Sequence, residues 1–123
     1  NKQDSLVRIP YGQTRFKDAT TIDLNTEGLI LLRTRLQSEG MRYFETPMQK
    51  HELDAILSID NRNAGYAAAA KYPCLTIPMG YTVTGLPTGL TFITRPFEED
   101  NLLKMGYAFE QATNARKLPK EYK

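Results

Sequence analysis

The chain has 123 residues, and its 16 basic and 14 acidic side chains give it a formal net charge of +2. This length leaves room for one modest domain and no more. Charges of both signs are scattered along the chain, without a basic stripe interleaved with aromatic residues, so we expect no nucleic-acid partner. No stretch approaches the roughly 20 apolar residues of a transmembrane helix, so we expect no membrane span.

The single cysteine, Cys74, excludes an internal disulfide and a cysteine-based metal site. It fits a reducing compartment, and we expect a cytoplasmic location, although a secreted protein with one buried thiol would have the same composition. The remaining potential metal ligands lack a useful spacing. We therefore expect neither a metal nor a cofactor.

The first part of the chain predicts helices after a polar, irregular start. A short helical turn is expected near residues 15–19, and Asn25 is one of several residues that can cap the next helix. The apolar residues of that helix recur at spacings of three and four, which places them on one face: Leu29, Leu32 and Leu36. Gly40 is a plausible end for it. A second helix is expected over residues 42–50, interrupted by Pro47.

The middle of the chain predicts strands around a short helix. Residues 53–59 are almost continuously apolar, which is typical of a strand buried on both faces. A polar loop and the alanine run at residues 67–70 follow, so strand, helix and next strand form a βαβ unit. Residues 74–77 and 88–94 read as an antiparallel pair, because Leu, Ile, Phe and Thr favour strands. The glycines and prolines between them predict a long loop: Pro78, Gly80, Gly85 and Pro87.

The last predicted helix has an acidic first turn and a basic end, both favourable with the helix dipole. The acidic residues are Glu98, Glu99 and Asp100, and the basic ones are Arg116 and Lys117. Its buried stripe is expected to comprise Leu102, Met105, Phe109 and Ala112.

Hydrolytic chemistry requires a nucleophile, a base and oxyanion donors close together. The serines are Ser5, Ser38 and Ser58, and none lies in a glycine-rich turn. The single histidine, His51, lies in a charged stretch and is expected to be exposed, and Cys74 is expected to be a structural thiol in a buried strand. The residues therefore predict no catalytic group.

The loop after the strand at residues 53–59 is the one candidate site. In open α/β sheets, ligands bind at the carboxyl ends of strands. Ser58, Asp60, Asn61, Arg62 and Asn63 occupy this position, and the substrate-pocket candidates among them are Ser58, Asn61 and Asn63. The competing interpretation is that Asn61 or Asn63 caps the helix that follows.

Five motifs succeed one another from residue 53 onward. They are LDA at residues 53–55, the alanine run at 67–70, YPCLTIPMGY at 72–81, GLPTG at 85–89 and AFEQAT at 108–113. This succession resembles the C-terminal part of the amidase signature family, and departs from its common residues at Lys71, Cys74 and Met79. The match is far longer than a short-motif coincidence.

The resemblance implies an α/β fold: the C-terminal portion of a layered mixed sheet, with strand–helix–strand, an antiparallel hairpin and a C-terminal helix. It also implies that residues 1–123 form a single partial domain, a C-terminal fragment of an amidase-like domain. In that family a Ser, a cis-Ser and a Lys carry out amide hydrolysis, with backbone amides as the oxyanion hole. Those groups belong to the family's N-terminal and central portions, and no Gly-Ser-Ser-Gly segment occurs here. No catalytic residue can therefore be assigned to this chain.

Two functions remain open. The chain is the C-terminal portion of an amide hydrolase whose catalytic remainder is its partner, or it is a non-catalytic structural or interaction module that retains this fold. A start at Asn1, and strands that lack neighbours, favour the first. We also expect the isolated chain to self-associate, through an uncovered strand edge or through the uncovered apolar face. The substrate stays open, because the family acts on many classes of amide.

Overall fold

The structure, a computed structural model, describes residues 12–118. The expected extended start, Ser5 and the proline at position 119 lie outside these residues. The described helices are α1 (Thr14–Thr21), α2 (Thr26–Lys50), α3 (Ala64–Ala70) and α4 (Glu99–Thr113). The described strands are β1 (Ile56–Ile59), β2 (Cys74–Tyr81) and β3 (Pro87–Ile93). None of these helices combines the length and the apolar character that crossing a membrane requires.

The chain divides into two compact units, with the boundary between Leu31 and Leu32 inside α2. In the first unit, α1 occupies the position of the predicted helical turn and buries no residue. The cap predicted at Asn25 is present, since the backbone N–H of Gly28 donates to Asn25 Oδ1 at 2.8 Å. The second unit contains the remaining part of α2 and every other element.

Helix α2 is continuous, so the predicted end at Gly40 and the predicted interruption at Pro47 are both wrong. Gly40 is buried, and a Cβ atom there would lie only 3.1 Å from the Cβ and the backbone N of Ala70. The glycine thus permits close approach of α2 and α3 instead of ending α2. Phe44 and Met48 are fully buried, and their packing stabilises the last turns despite the proline.

The three described strands pair in the order β1-β3-β2, and both pairings are antiparallel. The predicted α/β fold class is confirmed, with its strand–helix–strand, hairpin and final helix. Strands β1 and β2 point the same way, but β3 lies between them, so the connection through α3 crosses a strand. Strand β1 is shorter than predicted and is not buried on both faces, because Leu57 and Ile59 are exposed.

Strand β2 continues through Pro78 to Tyr81, where the sequence predicted a loop. Proline fits here because β2 is an edge strand among the three described, and the register shifts between Pro78 and Gly80. The turn itself is closed by the N–H of Thr82, which donates to Leu86 O at 2.8 Å. Gly85 in this turn has a φ of +83°, as a glycine readily adopts.

The sheet has a core on one face and α4 on the other. On the first face, Ile93 joins a buried cluster contributed by α2, α3 and the residue before β2: Phe44, Met48, Ala67, Ala70 and Tyr72. On the second face, Phe92 contacts Phe109 of α4 edge to face, with ring centroids 5.7 Å apart. Cys74 opens β2 and is exposed, which corrects the buried strand expected there.

Helix α4 packs largely as predicted, with Leu102 buried and Met105 and Phe109 partly buried. Ala112 is exposed and does not belong to the packed face. Gly106 does belong to it, close to Leu75 and Ile77. The helix ends at Thr113, before Arg116 and Lys117, so the predicted basic last turn is wrong. Asn114 ends it in the left-handed conformation (φ +43°), and its side-chain amide donates to Gln111 O at 2.9 Å.

Candidate functional site

The candidate loop between β1 and α3 is attached to β3 through Asp60. The N–H of Gly89 donates to Asp60 Oδ1 at 2.8 Å, and the N–H of Asp60 donates to Gly89 O at 2.8 Å. The hydroxyl of Thr91 also donates to the carbonyl oxygen of Asp60. Asp60 has a φ of +53°, a conformation that aspartate tolerates better than most residues. These bonds fix the start of the loop at the carboxyl end of β1.

The three predicted pocket residues occupy different environments. Ser58 is buried within β1, directly opposite Thr91 of β3. Asn61 is exposed in the turn, and its carbonyl accepts from the N–H of Ala64 at 3.0 Å. Asn63 is partly buried at the N-cap position of α3, but its side chain makes no capping hydrogen bond. No hydrogen bond joins the three side chains to one another in the part of the chain that the structure describes.

A groove of about 800 Å³ lies between α2 and α3. We call it the α2–α3 groove. Its α2 wall consists of Leu36, Glu39, Gly40, Arg42, Tyr43, Thr46 and Pro47. Its other wall consists of Arg62, Gly65, Tyr66 and Ala69. The candidate loop therefore contributes Arg62 to a groove, whereas the sequence pointed to the asparagines on either side of it.

Aromatic rings form the apolar part of the groove. Tyr43 and Tyr66 stack across the two walls, with ring centroids 5.2 Å apart and planes inclined by 20°. The close helix approach at Gly40 brings these rings together. In the sequence, the tyrosine at position 66 next to an alanine run is the available signal for this contact.

The charged groups of the groove are two arginines and one glutamate. Arg42 is paired with Glu39 at 2.8 Å, on an exposed stretch of α2. The hydrogen bond and charge of Arg42 lower the pKa of the Glu39 carboxyl. Arg62 is exposed and has no ion-pair partner among residues 12–118. The groove thus presents a positive charge that its own walls leave unneutralised.

A hydrogen-bonded cluster around Glu45 holds α2 against the sheet beside this groove. The Tyr72 hydroxyl donates to Glu45 Oε2 at 2.8 Å, and Arg95 Nε donates to Oε1 at 3.0 Å. Gln49 Nε2 donates to the same Oε1 at 3.1 Å. The hydrogen bond from Tyr72 is the main cause of a lowered Glu45 pKa, aided by Arg95. Burial, with Glu45 close by, raises the pKa of Tyr72 to about 12.

The other residues considered for chemistry lie apart. Ser38 is exposed on α2, where its hydroxyl donates to Arg35 O at 2.9 Å. His51 is exposed directly after the same helix. Although Cys74 as a whole is exposed, its thiol is partly desolvated beside Tyr72 O, which raises the pKa of the thiol and favours the unreactive protonated form. Within residues 12–118, no three His, Cys, Asp or Glu side chains are grouped as metal ligands.

Solved amidase structures share the fold of this chain. An amidase family protein from Bacillus anthracis str. Ames superposes with a TM-score of 0.84 at 33% identity, over 98% of this chain and 24% of that protein. A peptide amidase from Stenotrophomonas maltophilia superposes with a TM-score of 0.72 at 30% identity, over 92% of this chain and 26% of its own.

Curated relatives agree at the sequence level. A probable amidase from Arabidopsis thaliana is 37% identical over 76 residues, which are 62% of this chain and 15% of that protein. A glutamyl-tRNA(Gln) amidotransferase subunit from Desulforudis audaxviator is 51% identical over 45 residues, which are 37% of this chain and 9% of that protein. No protein-family model matches the chain.

The predicted resemblance to the amidase signature family is confirmed by these matches. The chain has the α/β fold of that family, and it matches a C-terminal portion of it. It spans about a quarter or less of the length of the proteins it matches. The homologues are amidases, which act on carbon–nitrogen bonds.

Proposed function

We propose that this chain is the C-terminal structural portion of an amidase-type hydrolase that cleaves carbon–nitrogen bonds in amides. One observation carries the proposal: the chain superposes over 98% of its length on only 24% of an amidase family protein. In this proposal, the remaining three quarters of such an enzyme supply the Ser, cis-Ser and Lys. The chain described here supplies sheet, packing and one wall of the substrate pocket.

Surface composition supports a partner that covers much of this chain. Large apolar side chains from several elements are exposed, in numbers that a stable isolated domain seldom leaves uncovered. Examples are Leu57 of β1, Met79 of β2, and Leu103 and Tyr107 of α4. The remainder of an amidase chain is the partner that we propose for these surfaces.

We further propose that Asn61 and Asn63 contribute to the pocket wall, with Ser58 supporting the loop from within the sheet. The side chain of Asn63 makes no cap bond, which weakens the purely structural alternative. An asparagine side chain offers both a donor and an acceptor, which suits a substrate amide or its carbonyl. The loop is held by Asp60, so both asparagines start from a fixed position.

A fluorophosphonate probe for activated serines tests the first proposal. The isolated chain should stay unlabelled, because no described serine lies beside a base. A chimera in which this chain replaces the matched segment of the Stenotrophomonas peptide amidase should be labelled once per molecule. Labelling of Ser5, Ser38 or Ser58 in the isolated chain would contradict the proposal, as would a folded chimera that resists the probe.

A further inference from the structure

Phe97 is the most conspicuous side chain that the proposed function does not use. It lies in the turn between β3 and α4 and is 93% exposed. Its φ is +68°, and the N–H of Glu98 donates to Arg95 O at 3.3 Å across the turn. Pro96 followed by a residue with positive φ fits a type II turn, in which glycine or asparagine is usual at this position. A strained backbone therefore presents a large ring directly to solvent.

Negative charge accompanies this ring. Glu98 and Glu99 follow Phe97 directly, and Asp100 is engaged with Lys104 at 3.2 Å. The pKa of Arg95 is raised mainly by its hydrogen bond with Glu45, and the nearby negative charge of Glu98 adds to this shift. Glu99 is exposed and has no ion-pair partner among residues 12–118. The turn is thus an aromatic projection with an uncompensated carboxylate two residues away.

The α2–α3 groove has the complementary properties. Its walls carry the stacked Tyr43 and Tyr66 rings, and its volume of about 800 Å³ is ample for a phenylalanine ring. Arg62 lines the same groove and is left without a carboxylate partner by the residues that the structure describes. Aromatic rings pack favourably edge to face or offset, and exposed arginines pair with carboxylates across interfaces.

We propose that the α2–α3 groove of one copy of this chain receives Phe97 of a second copy, with Arg62 and Glu99 paired across the contact. The occupant is a second copy because apolar surface and charge of opposite sign match between the two sites. Groove and projection are different surfaces, so the contact is head-to-tail and can extend beyond two copies.

Sedimentation of the isolated chain tests this contact without any turnover measurement, so its outcome is independent of the amidase proposal. The average mass of the wild-type chain should rise continuously with concentration, without a plateau at a dimer. Phe97→Gly should weaken association by about tenfold or more, since buried aromatic anchors dominate such contacts. Glycine suits the positive φ of the turn, so the variant should fold, as circular dichroism will verify.

A charge exchange tests the pairing itself. Arg62→Glu and Glu99→Arg should each weaken association, and the double variant should restore it, because the opposite charges then face each other again. Val83→Ala serves as the control, since Val83 is fully exposed in the β2–β3 turn and takes no part in the contact. Additive losses in the double variant would overturn the proposed pairing.

Association through a strand edge is the competing arrangement. Leu57→Lys places a charge on the exposed side of β1, an edge strand among those described, and should block such pairing. We expect this variant to associate like the wild type. If Leu57→Lys abolishes association while Phe97→Gly leaves it intact, the proposal is overturned. A wild-type chain that remains monomeric up to about 1 mM overturns it as well.

Discussion

At the scale of single residues, Glu45 is the point where three parts of the chain meet. Its carboxylate accepts from Tyr72, Arg95 and Gln49, and its side chain is 28% exposed. Folding lowers the pKa of Glu45 below its ordinary value of 4.5. The ionised carboxylate therefore stabilises the folded chain, and this stabilisation is fully present above pH 4.5. It is lost as pH falls through the lowered pKa, when the carboxylate takes up a proton.

Glu45→Gln should therefore reduce stability at pH 7 by about 1–2 kcal/mol, since it removes a charged acceptor from three donors. The same variant should flatten the loss of stability below pH 4.5. Urea unfolding from pH 3 to pH 8 measures both effects. Glu39→Gln is the matched control. Glu39 pairs with Arg42 on the surface, so this substitution should leave the free energy of unfolding almost unchanged. Equal effects of the two variants would contradict this role for Glu45.

The raised pKa of Tyr72 predicts that the folded chain also loses stability at alkaline pH. The hydroxyl is neutral and donates to Glu45 in the folded chain, and its pKa rises from 10 to about 12. The associated stabilisation is complete below pH 10 and is lost as pH rises toward 12. Tyr72→Phe should remove this dependence, as measured by thermal unfolding between pH 8 and pH 11. An unchanged alkaline slope would show that other groups cause it.

A substitution of Asn63 distinguishes a role in the substrate pocket from a role as a helix cap. Its side chain caps nothing, so Asn63→Ala should change stability by less than about 0.5 kcal/mol. In the chimera with the peptide amidase, the same change should lower kcat if Asn63 contacts the substrate in the transition state. Asn114→Ala is the contrast: it places alanine at positive φ and should cost about 1 kcal/mol. Wild-type kinetics in Asn63→Ala would end its proposed pocket role.

At the scale of elements, the close approach of α2 and α3 depends on Gly40. An alanine there meets Ala70 backbone at 3.1 Å, so the two helices have to separate. Gly65 is the matched control, because it is also helical and a Cβ there meets nothing within 4 Å. Gly65→Ala should stabilise the chain by about 0.5–1 kcal/mol, and Gly40→Ala should destabilise it despite the same gain in helix propensity. Urea unfolding with similar gains in both variants would contradict the tight crossing.

The helices and strands also show which features local sequence patterns can predict. The cap at Asn25, the hairpin and the packed face of α4 follow from capping preference, strand propensity and helical periodicity. Gly40 and Pro78 were misread for one reason. Each is a local breaker that tertiary contact accommodates, Gly40 through packing on Ala70 and Pro78 through an edge strand. Such contacts lie between residues far apart in sequence, which local patterns do not report.

The candidate site was predictable only in outline. The position of the loop after β1 followed from the apolar run before it, and Asn63 does lie at the start of α3. The α2–α3 groove did not follow, because it requires Tyr43 and Tyr66 to meet across two helices. The anchoring of Asp60 by Gly89 likewise joins residues 29 positions apart. The pairing of β1 with β3, which creates that contact, was not specified by the residues of either strand alone.

At the scale of the whole molecule, the coverage of the matches supports the proposal that this chain is one portion of a longer enzyme. It matches amidases along most of its own length and only a minor share of theirs. Its exposed apolar side chains, and the sheet edges that stay unpaired among the described strands, are surfaces that further protein is expected to cover. Proteins that match this segment keep it within a much longer chain, so its contribution is best measured inside such a chain.

Hydrolysis of a peptide amide by the chimera with the Stenotrophomonas peptide amidase tests the central claim most directly. The reference is the same host without its matched segment, which should be inactive because its sheet and pocket wall are incomplete. We expect the chimera to recover turnover, with a KM that differs from that of the intact host more than kcat does, since the pocket wall has changed. A chimera that folds cooperatively yet shows no turnover would contradict the claim that this chain serves as the C-terminal portion of an amidase.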